Sequence, residues 1–387
     1  MFAPDRSSVA DSGQRKHAQG SLRVMHVVRS LAVGGVEVGV VNVAGGLNRR
    51  GLGQCVCTLE SAQTLAGHLP ASIPVFDCGE RPLLHGYAPI VRAARHMRSF
   101  RPHIVHANNC AAWIDAAMAW LLAGSPGRLL CSIHGLDLIG RVSARRALCY
   151  RQVARFTHAL AAVSAPTAQS FALESGIPIE RFAVLHSGVD LDRFHPGIPS
   201  DHAQDRTVVL TCVARLGQLK GHDVLIRAFQ LALQRSPVRM ELQLVGDGLF
   251  RASLEALART CGVESRVHFA GEITDVAECL RRSDVFVLAS LQEGRPMSIM
   301  EALASGLPVV ATRVGAVADL VEHGVHGLLV SPNDVTGLAD AMIELACDGD
   351  KRRRFGINAR QRAAASLSLD TMVNSYFDFY QEVMAGR

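Results

Sequence analysis

The chain has 387 residues, 49% of them hydrophobic and 19% charged, which suits two cored domains of ordinary size and excludes a disordered polymer. Its net charge of +5 is unevenly spread, since residues 22–187 hold 16 Arg and no Lys against eight acidic residues, leaving the remainder mildly acidic. Ten cysteines without a C-x-x-C pair or a zinc-like quartet predict buried reduced thiols, as in a cytoplasmic protein, and no apolar run reaches the roughly 18 residues of a membrane span. Residues 1–21 are polar, have no hydrophobic region of a signal peptide, and read as a disordered tail.

In chain order, Leu22–Arg29 reads as a first strand leading into Gly34-Gly35 and a helical pattern over Val36–Leu47. Two glycines at a strand-to-helix turn let a ligand approach the backbone, and a helix start favours an anion; a plain tight turn fits the same residues. Gln54–Leu59 and Val75–Cys78 read as strands, Ile90–Phe100 as an Arg-rich helix, and Ile104–His106 as another strand. Leu129–Ile133 is a buried strand that ends in His134-Gly135-Leu136-Asp137, and a histidine there points into the crevice where open α/β sheets bind ligands. A satisfied structural histidine is the alternative, and Asp137 suits a helix cap. Arg141–Arg155 carries Arg141, Arg145, Arg146, Arg151 and Arg155 among apolar residues. It reads either as a solvated basic face or as a patch for an anionic acceptor or anionic membrane surface. Strands follow at Ala159–Val163 and Phe182–Leu185, then a segment with Asp190-x-Asp192 that is read as turn chemistry, not metal ligation.

Residues 191–205, rich in Pro and Gly, form the linker between a first unit at 22–190 and a second at 206–366. The second opens with strand Val208–Val213, followed by Arg215 and Lys220, two cations able to neutralise a diphosphate leaving group. Further strands fall at 240–245, before Gly246, and at 267–269, before Asp275-Val276. Asp284–Thr312 then reads as strand, loop, helix, strand, with Pro296 at the first helical position and Gly306 just past the helix end. The start of that helix suits a phosphate, and Glu293 and Glu301, eight residues apart, fit two hydroxyl-bearing parts of one ligand. A dipole-favoured Glu beside an ordinary surface Glu fits the same spacing. From Ser331 the chain is helical, ending in an amphipathic stretch, Leu367–Met384, within a last segment at 367–387.

EGRPMSIMEALASGLPVVAT resembles the E-x7-E segment of the retaining glycosyltransferases with the GT-B fold, in the family called group 1 or family 4. SLAVGGVE, SIHGLD, HSGVD and VARLGQLKG resemble its first glycine loop, histidine motif, interdomain segment and phosphate-binding loop, with Ser187, Ala214 and Arg295 departing from the usual residues. The resemblance implies an α/β GT-B fold, two Rossmann-like doubly wound domains with an interdomain cleft, and a last helix packed back on the first domain. It implies Glu293 and His134 near the donor sugar, Arg215 and Lys220 on the phosphates, and Glu301 on the ribose. Gly34, Gly35, Gly246, Asp275, Val276 and the run Gly294, Arg295, Pro296, Met297 and Ser298 would complete the donor site. Arg295 would alter the sugar contact or face solvent. The implied reaction moves a sugar from a nucleotide-diphosphate sugar to a glycan or lipid-linked acceptor, in polysaccharide or glycoconjugate synthesis, with no metal, no other cofactor and no nucleic acid. Such an enzyme is cytoplasmic, peripheral on the inner face of the plasma membrane. Two other readings remain: a sugar-nucleotide epimerase or hydrolase of the same fold, and a catalytically weak scaffold subunit at a membrane. The missing G-x-G-x-x-G counts against a dehydrogenase.

Overall fold

The computed structural model describes residues 22–32, 34–60, 64–79, 87–135, 142–197 and 207–386. The N-terminal tail, Asp137, Arg141 and much of the linker, all singled out above, lie outside these residues.

The first sheet is parallel, with strands β1 (Arg23–Val28), β2 (Gly53–Thr58), β3 (Val75–Asp77), β4 (Ile104–Asn108), β5 (Arg128–Ile133), β6 (Ala159–Ala162) and β7 (Phe182–Val184). The second, also parallel, holds β8 (Val208–Val213), β9 (Met240–Val245), β10 (Val267–Gly271), β11 (Val285–Leu288), β12 (Val309–Thr312) and β13 (Gly327–Val330). Their orders are β3-β2-β1-β4-β5-β6-β7 and β10-β9-β8-β11-β12-β13, the same winding repeated. Each sheet reverses direction between its first and fourth strands, and the crevice beyond the carboxyl ends of those strands is where such sheets take ligands. Gly34-Gly35 follows β1, Asn108-Asn109 ends β4, Arg215 and Lys220 follow β8, and Glu293 follows β11. The sequence thus places its charged motifs at the two switch points. The two-domain α/β fold stands.

Helices cover both sheets. In chain order they are α1 (Gly35–Arg49), α2 (Ala88–Phe100), α3 (Cys110–Leu122), α4 (Ala144–Ala154), α5 (Ala165–Ser175), α6 (His222–Arg235), α7 (Arg251–Thr260), α8 (Val276–Arg281), α9 (Met297–Ala304), α10 (Val317–Leu320), α11 (Val335–Cys347), α12 (Gly349–Ser366) and α13 (Leu369–Ala385). The strands are buried on both faces, as parallel strands between helix layers must be, so β1 (RVMHVV) and β11 (VFVL) read as near-continuous apolar runs.

Helix α13 belongs to the first domain by packing and to the second by sequence. It lies against α1, and Met372, Val373, Tyr376, Phe379, Tyr380 and Val383 join Val43, Leu47, Ile104 and Leu130 in one buried cluster. The crossing is pinned where Val189 N–H donates to Leu367 O (2.7 Å) and Leu369 N–H donates to Val189 O (3.0 Å). Arg360 on α12 ties the linker to the second domain, donating to Phe194 O and Ala304 O, both at 2.9 Å.

Candidate active site

Glu293 sits in the loop between β11 and α9 with a side chain only 7% exposed. Its Oε1 accepts from Lys220 Nζ at 2.5 Å and from Ser290 Oγ at 2.6 Å. Ser290 is itself buried, and its carbonyl accepts from Thr312 Oγ1. Glu293 is therefore aimed by side chains from three strand ends. Lys220 stays 31% exposed, so its ammonium can turn from the carboxylate to an incoming phosphate.

Pro296 caps α9 instead of opening its first turn, with φ −67° and ψ 117°. The extended ψ is the reason, because Pro296 C=O already accepts the Met300 N–H (3.4 Å) while its own backbone remains outside the helix. The N–H groups of Met297 and Ser298, free of intrahelical partners, thus face the loop that carries Glu293. At the other end Gly306 takes φ +72°, as a left-handed C-terminal residue should.

Glu301 lies on the second turn of α9, half-buried, with no side-chain hydrogen bond among the described residues. Burial pushes its carboxyl up to about 7, opposed by the Arg193 charge. Arg295 does not simply face solvent. It is half-buried, its Nε has no partner among the described residues, and burial lowers its guanidinium to about 10 despite nearby Asp319. His186 and Arg362 share this neighbourhood.

The first domain meets this loop directly. A Cβ on Gly294 would stand 2.3 Å from the carbonyl oxygen of His134, so only glycine lets α9 start this close to the histidine loop. Ser164 Oγ donates to Gly294 O at 3.4 Å, and Met297 Cγ would lie 3.3 Å from a Cβ on Gly35. His134 is half-buried at the end of β5, its Nε2 is 3.0 Å from Ser132 Oγ, and burial lowers its pKa to about 4. The imidazole is neutral at physiological pH, a hydrogen-bonding group and not a cation.

Beside these contacts a cavity of about 210 Å³ opens between the domains, lined by Ser30, Glu37, Asn108, Asn109 and Arg215 among others. Exposed Arg215 faces Glu37, whose carboxyl burial raises and the Arg215 charge lowers. Glu37 folds back over the glycine loop, so a Cβ on Gly34 would meet its Oε2 at 2.4 Å. Glu37 and Asn109 carry no motif of their own; the strand-end rule that picked out His134 also reaches Asn109, which follows β4.

The remaining candidates separate from this cluster. Gly246 ends β9 and donates to Gly271 O at 2.8 Å. Asp275 is spent on capping α8, its Oδ1 accepting from Glu278 N–H at 3.1 Å, and Val276 opens that helix. Asp190 Oδ1 accepts from the N–H groups of Asp192 (3.0 Å) and Arg193 (3.1 Å), which is turn chemistry. His323 and His326 each accept a backbone N–H, from Leu329 and Glu322. Arg145, Arg146 and Arg151 are exposed on α4, beside exposed Leu148.

Residues 33–193 match the family described as Glycosyltransferase Family 4, and residues 207–348 match Glycosyl transferases group 1. A GDP-mannose-dependent alpha-(1-6)-phosphatidylinositol monomannoside mannosyltransferase of Mycobacterium tuberculosis is 32% identical over 69% of this chain and 72% of its own. The chain belongs to the group 1, family 4 glycosyltransferases. A D-inositol 3-phosphate glycosyltransferase of Xylanimonas cellulosilytica is 29% identical over 78% of this chain and 76% of its own. Among solved structures, Anabaena HepE in complex with UDP and glucose superposes with a TM-score of 0.81 at 22% identity, covering 93% of this chain and all of the other. Sucrose-phosphate synthase from Thermosynechococcus elongatus gives 0.78 at 18% identity, over 95% and 100%. This glycosyltransferase therefore carries the GT-B architecture, and its converging loops sit where that architecture joins its two domains.

Proposed function

We propose that this glycosyltransferase transfers a sugar, with retention at the anomeric carbon, from a nucleotide-diphosphate sugar to a glycan or lipid-linked acceptor at a membrane surface. The observation that carries the reading is the Glu293–Lys220 pair set between the free N–H groups of α9 and the loop bearing His134. In this reading Glu301 accepts from the ribose hydroxyls and Glu293 from the sugar. Lys220, Arg215 and the start of α9 meet the charge of the departing diphosphate, and this set does so without a metal ion. The bond from the anomeric carbon to phosphate oxygen breaks as the acceptor hydroxyl bonds on the same face, and the hydroxyl proton passes to the leaving phosphate. Relatives that use GDP-mannose and a fold neighbour that holds UDP leave two donor classes to compare.

No helix among the described residues is long and apolar enough to cross a membrane. Support for the membrane face comes from α4, where Arg145, Arg146 and Arg151 stand beside Leu148, 51% exposed, and Phe156 just beyond is 53% exposed. Basic and apolar groups together suit an anionic lipid surface.

The test is a thermal-shift and hydrolysis screen against UDP-, GDP-, ADP- and TDP-sugars. Stabilisation by one nucleotide class, with slow donor hydrolysis abolished in Glu293→Gln, is expected. Stabilisation by none of them would reject the donor site.

A further inference from the structure

Beneath the cleft, one face of the first sheet is polar where an apolar core would be simpler. His26, Gln54, Thr58, His106, Asn108 and Ser132 all point to the side covered by α1 and α13, and all are buried. Two tyrosines of α13 enter this layer. Tyr380 O–H lies 2.7 Å from His106 Nδ1, and the Tyr376 hydroxyl hydrogen-bonds Ser132. Ser132 in turn lies 3.0 Å from His134 Nε2. A continuous chain of hydrogen bonds therefore runs from the C-terminal helix, through a strand of the first domain, to the histidine in the cleft.

Proton counting gives this chain a direction. Ser132 and Tyr376 are 0% and 4% exposed, so a hydroxyl proton without an acceptor there costs about 1–3 kcal/mol. If His134 carried its proton on Nε2, it would donate to Ser132, and one of the two hydroxyl protons would have no acceptor among the described residues. With the proton on Nδ1, Tyr376 donates to Ser132 and Ser132 donates to Nε2, so every proton is used. We propose that Ser132 and Tyr376 are positioning residues that lock His134 as the Nδ1–H tautomer, so the C-terminal helix decides which hydrogen-bond donor the cleft presents. Among the described residues Nδ1 has no protein partner and is not an enclosed orphan, which leaves its N–H free for a ligand. The low basicity that burial imposes on this imidazole keeps the locked form neutral.

The test uses the full chain with 15N-labelled histidine, assigning His134 by the signal lost in His134→Gln. Wild type is expected to show Nε2 unprotonated and Nδ1 protonated, and Tyr376→Phe to shift His134 toward the Nε2–H form, because Ser132 then has a lone pair to spare. Tyr380→Phe is the matched control, an equally buried tyrosine on the same helix that serves His106, and it should leave His134 unmoved. An Nε2–H signal in wild type, no change in Tyr376→Phe, or an equal change in Tyr380→Phe would each overturn the proposal. Should Tyr376→Phe fail to fold, Ser132→Ala breaks the chain from the strand side and must alter the same signal. A kinetic arm rests on the transferase reading: with UDP-glucose or GDP-mannose, Tyr376→Phe should lower kcat about 10-fold and leave donor KM within about 2-fold. If wild type turned over neither donor, that reading alone would suffer, since the tautomer measurement needs no substrate.

Discussion

Glu301 turns burial into pH dependence. Ribose hydroxyls donate to a carboxylate and not to a carboxylic acid, and burial holds this group at about 7 instead of 4.5. Nucleotide-sugar affinity should therefore rise between pH 6 and pH 8, by up to about 10-fold, and calorimetry of Glu301→Gln should show that slope flattened. Folding is linked in the opposite sense. The raised carboxyl favours the folded state below its ordinary value of 4.5, and the contribution is lost as pH climbs through 7. Glu301→Ala should weaken donor binding at pH 8, and an unchanged nucleotide affinity would remove it from the ribose. Lys220 makes a different claim. It is paired with Glu293 here, so Lys220→Ala removes a cation from both the carboxylate and the phosphates, and kcat/KM should fall by on the order of 100-fold. Wild-type rates would take it out of the leaving-group set. Much of this site was legible because Glu293, Glu301 and Lys220 stand in spaced motifs. Ser132 and Tyr376 were not, since they lie 244 positions apart in sequence and meet only through the packing of α13.

At the scale of elements, the decisive contact is α9 against the histidine loop. Gly294→Ala would place a methyl group 2.3 Å from His134 O, and the two loops would have to separate. Transfer should fall by at least about 10-fold, while nucleotide binding, built from the second domain, stays within a few-fold; a variant that transfers normally would show that the loops need not touch. The buried parallel strands and the capped ends of α9 were readable from apolar runs and from Gly306 and Pro308. Pro296 misled by one position, because a proline tolerates both the cap and the first turn and only ψ separates them. Helix α3, CAAWIDAAMAWLL, is apolar on nearly every side, so it shows no stripe of helical period, although it contributes Trp113 and Trp120 to the first core.

For the whole molecule, charge asymmetry gains meaning from where it falls. The basic residues of 22–187 include an exposed row on α4, whereas the acidic motif residues line the cleft of the second domain. Reversing Arg145, Arg146 and Arg151 to Glu should weaken binding to phosphatidylglycerol vesicles by on the order of 100-fold at low salt and leave nucleotide binding unchanged. Vesicle binding that persists would reject the α4 face as the membrane contact.

The return of α13 to the first domain also bears on how the protein is born. A ribosome that has finished β7 must still make some 200 residues before that helix exists, a delay on the order of 10–40 s. Domain folding is faster than that, so through this interval Val43, Leu47 and Leu130, with the buried histidines of the same face, lack the cover that α13 provides. The nascent first domain is thus a natural client for chaperones. A chain stopped before Leu369 would remain one permanently, failing to become soluble unless a separately supplied α13 peptide sealed the gap.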